Sequence, residues 1–341
     1  MELGTPPYHY QGETGLLIPE QKACRANTAA ESPRRMRLPF SVEYDRIQPP
    51  PRMDGGATWA WERIPTVGKA RVLAIANQKG GVGKTTTAVN LGVYLAAAGE
   101  RVLLIDVDPQ ANATSSLGFD KHTIQSSIYD TLVNSRPLAE VIIPSGRENM
   151  DLAPSSVQLA GAEVELVPLM AREHRLARAL AKLGDRYTIV LIDCPPSLGL
   201  LTLNALAAAA GVIIPLQSEY LALEGLMQLR QTIDLVVGHV NPNLEIFGIV
   251  LTMFDTRTNL SGQVQQEVRA HFPGELFQTV IPRSVRLSEA PSYGQSIREY
   301  DPTSRGALAY QQLAAEVQGR FGATGDGSIA TGDRHRSVGA P

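Results

Sequence analysis

Short apolar runs recur along most of this chain, each followed by a segment whose apolar positions repeat at helical spacing. The runs at 71–77, 101–106, 187–193, 212–216, 246–252 and 277–281 lack polar alternation, so they predict strands buried on both faces. Helices are expected over 85–98, 127–133, 172–183, 200–210, 223–237, 263–271 and 307–321, with Leu152 in a short extra strand. In the first of these helices Ala88, Leu91, Leu95 and Ala98 recur at helical spacing, and Gly99 closes it as a C-cap. The alternation implies an α/β fold: a doubly wound, mostly parallel sheet with helices on both faces. No internal repeat is visible.

Residues 1–68 break this pattern. Pro6-Pro7, Pro49-Pro50-Pro51 and Gly55-Gly56 interrupt any period and both charge signs are scattered, so a mostly disordered extension is expected. Trp59 and Trp61, the only tryptophans, read as a local apolar cluster or a tail packing back on the domain, ahead of a partner-docking motif. Translation that starts at Met36 or Met53 would be a duller explanation of this stretch. The ordered domain is then expected over residues 69–321, and the glycine-rich residues 322–341 read as a flexible tail.

Composition narrows the class. Of 341 residues, 43% are apolar and 19% charged, as in ordinary globular domains. The net charge of −3 supplies no global attraction to nucleic acid, so any DNA-binding surface has to be a local patch. Cys24 and Cys194 are too few and too ill-spaced for a disulfide framework or a zinc site, which fits a reducing cytoplasm. The first residues lack the basic and apolar regions of a secretory signal. The longest apolar stretch, 205–216, is too short to span a bilayer and contains Gly211 and Pro215, so no membrane association is expected.

The chemistry starts at Lys79-Gly-Gly-Val-Gly-Lys-Thr-Thr-Thr87, directly after the first buried run. A strand leading through a glycine-rich loop into a helix turns backbone N–H groups and the positive helix end toward a phosphate. Gly80, Gly81, Val82, Gly83 and Thr86 form the cradle, Lys84 supplies a point charge to the β- and γ-phosphates, and Thr85 offers a hydroxyl to Mg²⁺. Asp193 ends the third buried strand, at the Walker B position, where a carboxylate meets Mg²⁺ directly or through water. Cys194 beside it reads as a buried filler, since no base lies near it in sequence. Asp106 and Asp108, past the second strand, are loop acids until something gives them a role. GTPases commonly read guanine with an Asn-Lys-x-Asp loop; Asn77-Gln78-Lys79-Gly80 is not one, so ATP is the expected nucleotide.

The usual P-loop pattern needs glycine at position 78, where this chain has Gln78 and then a second lysine, Lys79. Lys79-Gly-Gly-Val-Gly-Lys-Thr-Thr resembles the deviant Walker A motif of the ParA/MinD class of P-loop NTPases. That resemblance implies an ATP-sandwich homodimer in which Lys79 reaches the phosphates held by the partner subunit. Asp106-Val-Asp-Pro-Gln110 resembles the family's D-x-D-P-Q motif, implying that Asp108 orients the attacking water while Asp106 helps hold the Mg²⁺ shell and the loop. Gln217-Ser-Glu-Tyr-Leu-Ala-Leu-Glu-Gly225 is similar to a family segment that contacts the second subunit.

Thr252-Met-Phe-Asp-Thr-Arg-Thr-Asn-Leu260 and Val280-Ile-Pro-Arg-Ser-Val-Arg-Leu-Ser-Glu-Ala-Pro-Ser-Tyr-Gly294 resemble the chromosomal ParA (Soj) partition ATPases, with similarity from about 71 to about 317. The resemblance implies that Arg257 and Arg286 grip DNA phosphates in the ATP dimer. Arg283 either joins them or sits with Pro282 near the adenine pocket. The expected protein is thus a cytoplasmic, nucleoid-associated Mg²⁺-ATPase that binds double-stranded DNA without sequence preference and answers to a ParB-type partner. A MinD-like membrane ATPase would need a basic amphipathic C-terminal helix, and residues 311–320 are too polar for one. An operator-binding repressor would need a helix-turn-helix, and an iron–sulfur reductase cysteine pairs; neither is present.

Overall fold

The computed structural model describes residues 70–219 and 222–325. The extension expected over residues 1–68, with Trp59 and Trp61, lies outside the described residues, as do residues 326–341. The strands are β1 (Arg71–Ile75), β2 (Val102–Asp106), β3 (Ile143–Arg147), β4 (Met150–Ala153), β5 (Ile189–Asp193), β6 (Gly211–Gln217), β7 (Glu245–Phe254) and β8 (Leu276–Pro282). They form an eight-stranded sheet in the order β3-β4-β2-β5-β1-β6-β7-β8. Every pairing is parallel except the β3–β4 hairpin at one edge.

The helices are α1 (Lys84–Ala97), α2 (Asn112–Ser116), α3 (Ile128–Leu132), α4 (Leu138–Val141), α5 (Leu159–Glu165) and α6 (Arg175–Ala181). They continue as α7 (Leu200–Ala208), α8 (Ala222–His239), α9 (Asn259–His271), α10 (Val285–Glu289), α11 (Ile297–Tyr300) and α12 (Arg305–Gly325). Because strand side chains alternate faces, each central strand feeds two cores. Val72, Leu103, Val190 and Ile214 pack with α3 to α9 on one face. Leu73, Leu104, Leu191 and Ile213 pack with α1, α2, α11 and α12 on the other. Burial on both faces is why these strands read as unbroken apolar runs.

α1 is buried over nearly its whole length, and its polar side chains are satisfied by neighbours. The Thr87 hydroxyl lies 3.2 Å from that of Tyr310 on α12, and Asn90 accepts from the Ile297 amide at 2.7 Å. Gly99, with φ +94°, ends α1 in the left-handed conformation, as its C-cap role requires, and the Glu100 amide reaches back to Leu95 O at 3.1 Å. Several helices depart from their predicted bounds; α9 begins at Asn259, four residues before its predicted start. The segment 172–183 divides into a 3₁₀ turn, Arg172–His174, and α6, because the buried Asn204 carboxamide accepts from the Arg175 and Leu176 amides at 3.1 and 3.2 Å. α12 runs beyond residue 321, to Gly325.

Candidate nucleotide site

The strand order reverses around β1: the chain passes from β1 outward to β2 on one side, and later from β5 across to β6 on the other. Open α/β sheets bind ligands at such a point, outside the carboxyl ends of the strands. Here the paired strand ends are Ile75, Asp193 and Asp106, side by side in register. The loop of residues 76–83 starts from the first of them.

Two anchors shape that loop. Asn77 is buried: its side chain donates to Pro215 O at 2.8 Å and accepts from the Lys79 amide at 3.0 Å, fixing the turn out of β1. The Thr252 hydroxyl, from β7, donates to Val82 O at 2.8 Å. Gly81 and Gly83 have φ +74° and +88°, where an L side chain is strained, so the glycines are required by backbone conformation. Gly83 is the N-cap of α1, has no side-chain cap, and is followed by no acid in the first turn. The positive end of a fourteen-residue helix is therefore left to a ligand.

Lys84 is buried and its Nζ donates to Lys79 O at 3.1 Å, across the loop it closes. Burial lowers its pKa, while the charges of Asp193 and Asp108 work against that. Lys79 points elsewhere: its ammonium pairs with Glu219, both side chains being about half exposed. The Lys79 and Lys84 positions thus differ in kind, one packed inside the loop and one on a surface ion pair.

Asp106 is fully buried and engaged on both oxygens. Oδ1 accepts from the Asp108 amide at 3.1 Å, and Oδ2 from the Thr114 amide and hydroxyl at 2.8 and 2.7 Å. The Thr114 hydroxyl also accepts from the Ser155 amide at 3.0 Å, and the Ser155 hydroxyl donates to Asp108 O at 2.7 Å. Asp108 in turn accepts from the Gln110 amide at 2.9 Å. Asp106 therefore ties the β2 loop, α2 and the β4 loop into one network.

Asp193 is the opposite case. It is wholly buried, and neither carboxylate oxygen makes a well-formed hydrogen bond; only the Thr85 side chain approaches it as a donor. Burial pushes its pKa well up and the neighbouring Asp106 carboxylate adds to that; Thr85 and Lys84 pull it down. Asp106 is raised too, first by burial and against its hydrogen bonds to Thr114. Cys194 is buried, and burial raises its thiol pKa, as suits a filler rather than a nucleophile.

The remaining predicted residues follow the ends of β7 and β8. Pro282 pairs with Phe254, and the exposed Arg283 donates its amide to Phe254 O at 3.2 Å. Arg257 forks onto Asp255 at 2.9 and 2.7 Å and holds that carboxyl down at about 2. Arg286, on α10, donates to Glu289 at 3.1 Å and lies 3.6 Å from Asp301. Both arginines are exposed and both are paired within their own chain. Asn77, Thr114, Ser155, Glu219 and Thr252 were not singled out individually in the sequence; their roles depend on contacts between distant strands.

A glycine loop closed by a buried lysine, at the switch point of a doubly wound sheet and beside a row of strand-end aspartates, defines a P-loop nucleoside triphosphatase. The AAA domain family matches residues 70–246. The sporulation initiation inhibitor protein Soj of Bacillus subtilis is 56% identical over 247 residues, covering 72% of this chain and 98% of that one. The chromosome partitioning protein ParA of Myxococcus xanthus is 53% identical, covering 75% of this chain and 89% of that one. Among solved structures, cobyrinic acid a,c-diamide synthase from Mycobacterium smegmatis, with bound ADP and magnesium, superimposes with a TM-score of 0.66. It is 39% identical and covers 75% of this chain and 96% of that one. The chain belongs to the ParA/Soj family of chromosome-partitioning ATPases.

Proposed function

We propose that this protein is a Mg²⁺-dependent ATP hydrolase of DNA partition, acting in the cytoplasm on the nucleoid. In this reading ATP binding drives homodimerisation, the dimer holds double-stranded DNA without sequence preference, and a ParB-type partner stimulates hydrolysis and release. The observation that carries it is Asp193: two buried carboxylate oxygens with no well-formed hydrogen bond, beside Lys84 and the Thr85 hydroxyl at the mouth of the phosphate loop.

Such oxygens fit a hard cation. Among the described residues no group of three or more His, Cys, Asp or Glu could cage a metal, as is usual for Mg²⁺, which keeps water and phosphate ligands. Thr85 and Asp193 would hold it, Asp193 directly or through water, with Asp106 shaping the loop behind them. Bound Mg²⁺ supplies neutralisation of charge on the β- and γ-phosphate oxygens. Lys84 holds the same oxygens from inside the loop, and the backbone amides of Gly80, Gly81, Val82, Gly83, Thr85 and Thr86 cradle them. Asp108 orients the water for in-line attack. Lys79 reaches a partner subunit's phosphates by leaving Glu219, an exchange with a small cost because surface ion pairs contribute about 0–1 kcal/mol. Pro282 and Arg283 flank the base, and Arg257 and Arg286 meet DNA.

The two lysines provide the test. Lys84→Ala should abolish nucleotide binding, whereas Lys79→Ala should retain much of it and fail to dimerise with ATP. Fluorescent-nucleotide titration and light scattering read the two properties separately. Equal loss of affinity in both variants would remove the division of labour.

A further inference from the structure

A second anion-binding feature lies away from the nucleotide loop, in a cleft of about 150 Å³ between the α3–α4 connection and α6. Four cationic side chains line it: Arg136, Arg175, Arg178 and Lys182. Arg175 is fixed there by its Nε on Leu132 O and its Nη2 on Val133 O at 3.2 Å and the Ser135 hydroxyl at 2.5 Å. It thereby closes the carboxyl end of α3, and Ser135 takes up φ +63° beneath it. Arg136 spends part of its charge on Glu140, at 3.1 Å, and also donates to the Ser126 hydroxyl at 2.5 Å. Arg178 and Lys182 are exposed and form no ion pair among the described residues.

An independent feature belongs to the same cleft. Thr131 is among the residues that line it, and its hydroxyl is buried without a hydrogen-bond partner. Unsatisfied buried donors are rare and costly in a folded chain, and a surface-charge role would not need one. The nearby acids are otherwise occupied: Asp130 caps Ser127 at 3.0 Å, and Glu173 pairs with Arg172 at 2.9 Å.

We propose that this cleft binds a phosphate group, with the guanidinium of Arg175 and the Thr131 hydroxyl at its floor and Arg136, Arg178 and Lys182 at its rim. Its volume admits one phosphate and leaves the rest of the bearer outside. The group is carried either by a small phosphorylated compound or by a nucleic-acid backbone, since both present the same oxyanion to Arg and Lys.

Binding of inorganic phosphate, followed by calorimetry with the nucleotide loop saturated by ADP and Mg²⁺, tests this on the full chain. Arg178→Ala/Lys182→Ala, which alters only exposed side chains, should weaken phosphate binding about tenfold or more and leave ADP affinity unchanged. Thr131→Val alters no charge and should weaken it several-fold, with Arg178→Lys restoring most of the affinity lost in Arg178→Ala. A short DNA duplex that displaces phosphate identifies a backbone as the source; failure to displace it identifies a small phosphate compound, and either result supports the site. Wild-type affinity in the double variant, or no effect of Thr131→Val, overturns it.

Discussion

Replacing Asp193 by asparagine should stabilise the ligand-free protein while destroying its response to ATP and Mg²⁺. The carboxylate is wholly buried, has no well-formed hydrogen bond on either oxygen, and stands in register with Asp106 on the adjacent strand. A buried charge without partners carries a desolvation cost that the group limits by taking up a proton. The isosteric amide removes the charge and keeps the volume, which should be worth about 1–3 kcal/mol at neutral pH. At roughly 2–4 °C per kcal/mol for a domain of this size, the melting temperature should rise by about 2–12 °C.

The pH dependence fixes the cause. Burial, with Asp106 adding to it, raises the folded pKa of Asp193 above its unfolded value, so near neutrality the folded state binds more protons than the unfolded one. Wild-type stability should therefore increase as the pH falls through the folded pKa toward the unfolded one, and the advantage of Asp193→Asn should shrink over that window. Thermal unfolding in EDTA at a series of pH values reads both effects. Adding ATP and Mg²⁺ should invert the order, because only the wild type gains ligand stabilisation. A variant less stable than wild type in EDTA, or a gap that ignores pH, would show that Asp193 is satisfied in the free protein.

Gly83→Ala places a side chain at φ +88° with only Thr252 Cγ2 nearby, at 3.8 Å, so the cost is backbone strain. About 1–2 kcal/mol, or roughly 2–8 °C in melting temperature, should be lost along with nucleotide affinity, and a calorimetric scan that matches wild type would refute the strain. Asp108→Ala should leave the cradle intact and trap an ATP-bound dimer; size-exclusion chromatography with ATP would reveal it, and wild-type turnover would remove the water-orienting role. Arg286→Glu should lose non-specific DNA while still binding ATP, and a gel shift that keeps the wild-type salt slope would place the DNA surface elsewhere.

The central sheet was legible because its strands are buried on both faces and carry their signal in a few consecutive residues. β3 was not: Ile-Pro-Ser-Gly-Arg has no strand pattern, and it pairs only because a hairpin brings it back against β4. α2, α4, α5, α10 and α11 are four to seven residues long, too short for a 3.6-residue period to emerge. The 3₁₀ turn before α6 depends on Asn204, whose carboxamide arrives from α7. β7 runs to Phe254, beyond its predicted end, because Pro282 pairs with it. In each case the missing information was tertiary.

The phosphate loop was legible for the reason the strands were: its chemistry is contiguous. Its supports were not, since Thr252 and Glu219 reach it from β7 and from the loop after β6. The arginines sit between these cases. Asp255 and Glu289 lie two and three residues from Arg257 and Arg286, and the structure pairs each arginine with that neighbour. That pairing leaves a DNA role open. An exposed pair contributes about 0–1 kcal/mol, which a charge-assisted bond to a phosphate can replace. It does reduce the gain per contact, because each arginine must first surrender a carboxylate that the phosphate then faces at close range. On the proposed reading one chain would offer two such discounted contacts, too few for tight binding when each adds a slope of only about −0.9 in log affinity against log salt. Joining two chains doubles the contacts without changing any of them, so DNA affinity that appears only with ATP is what these ion pairs predict.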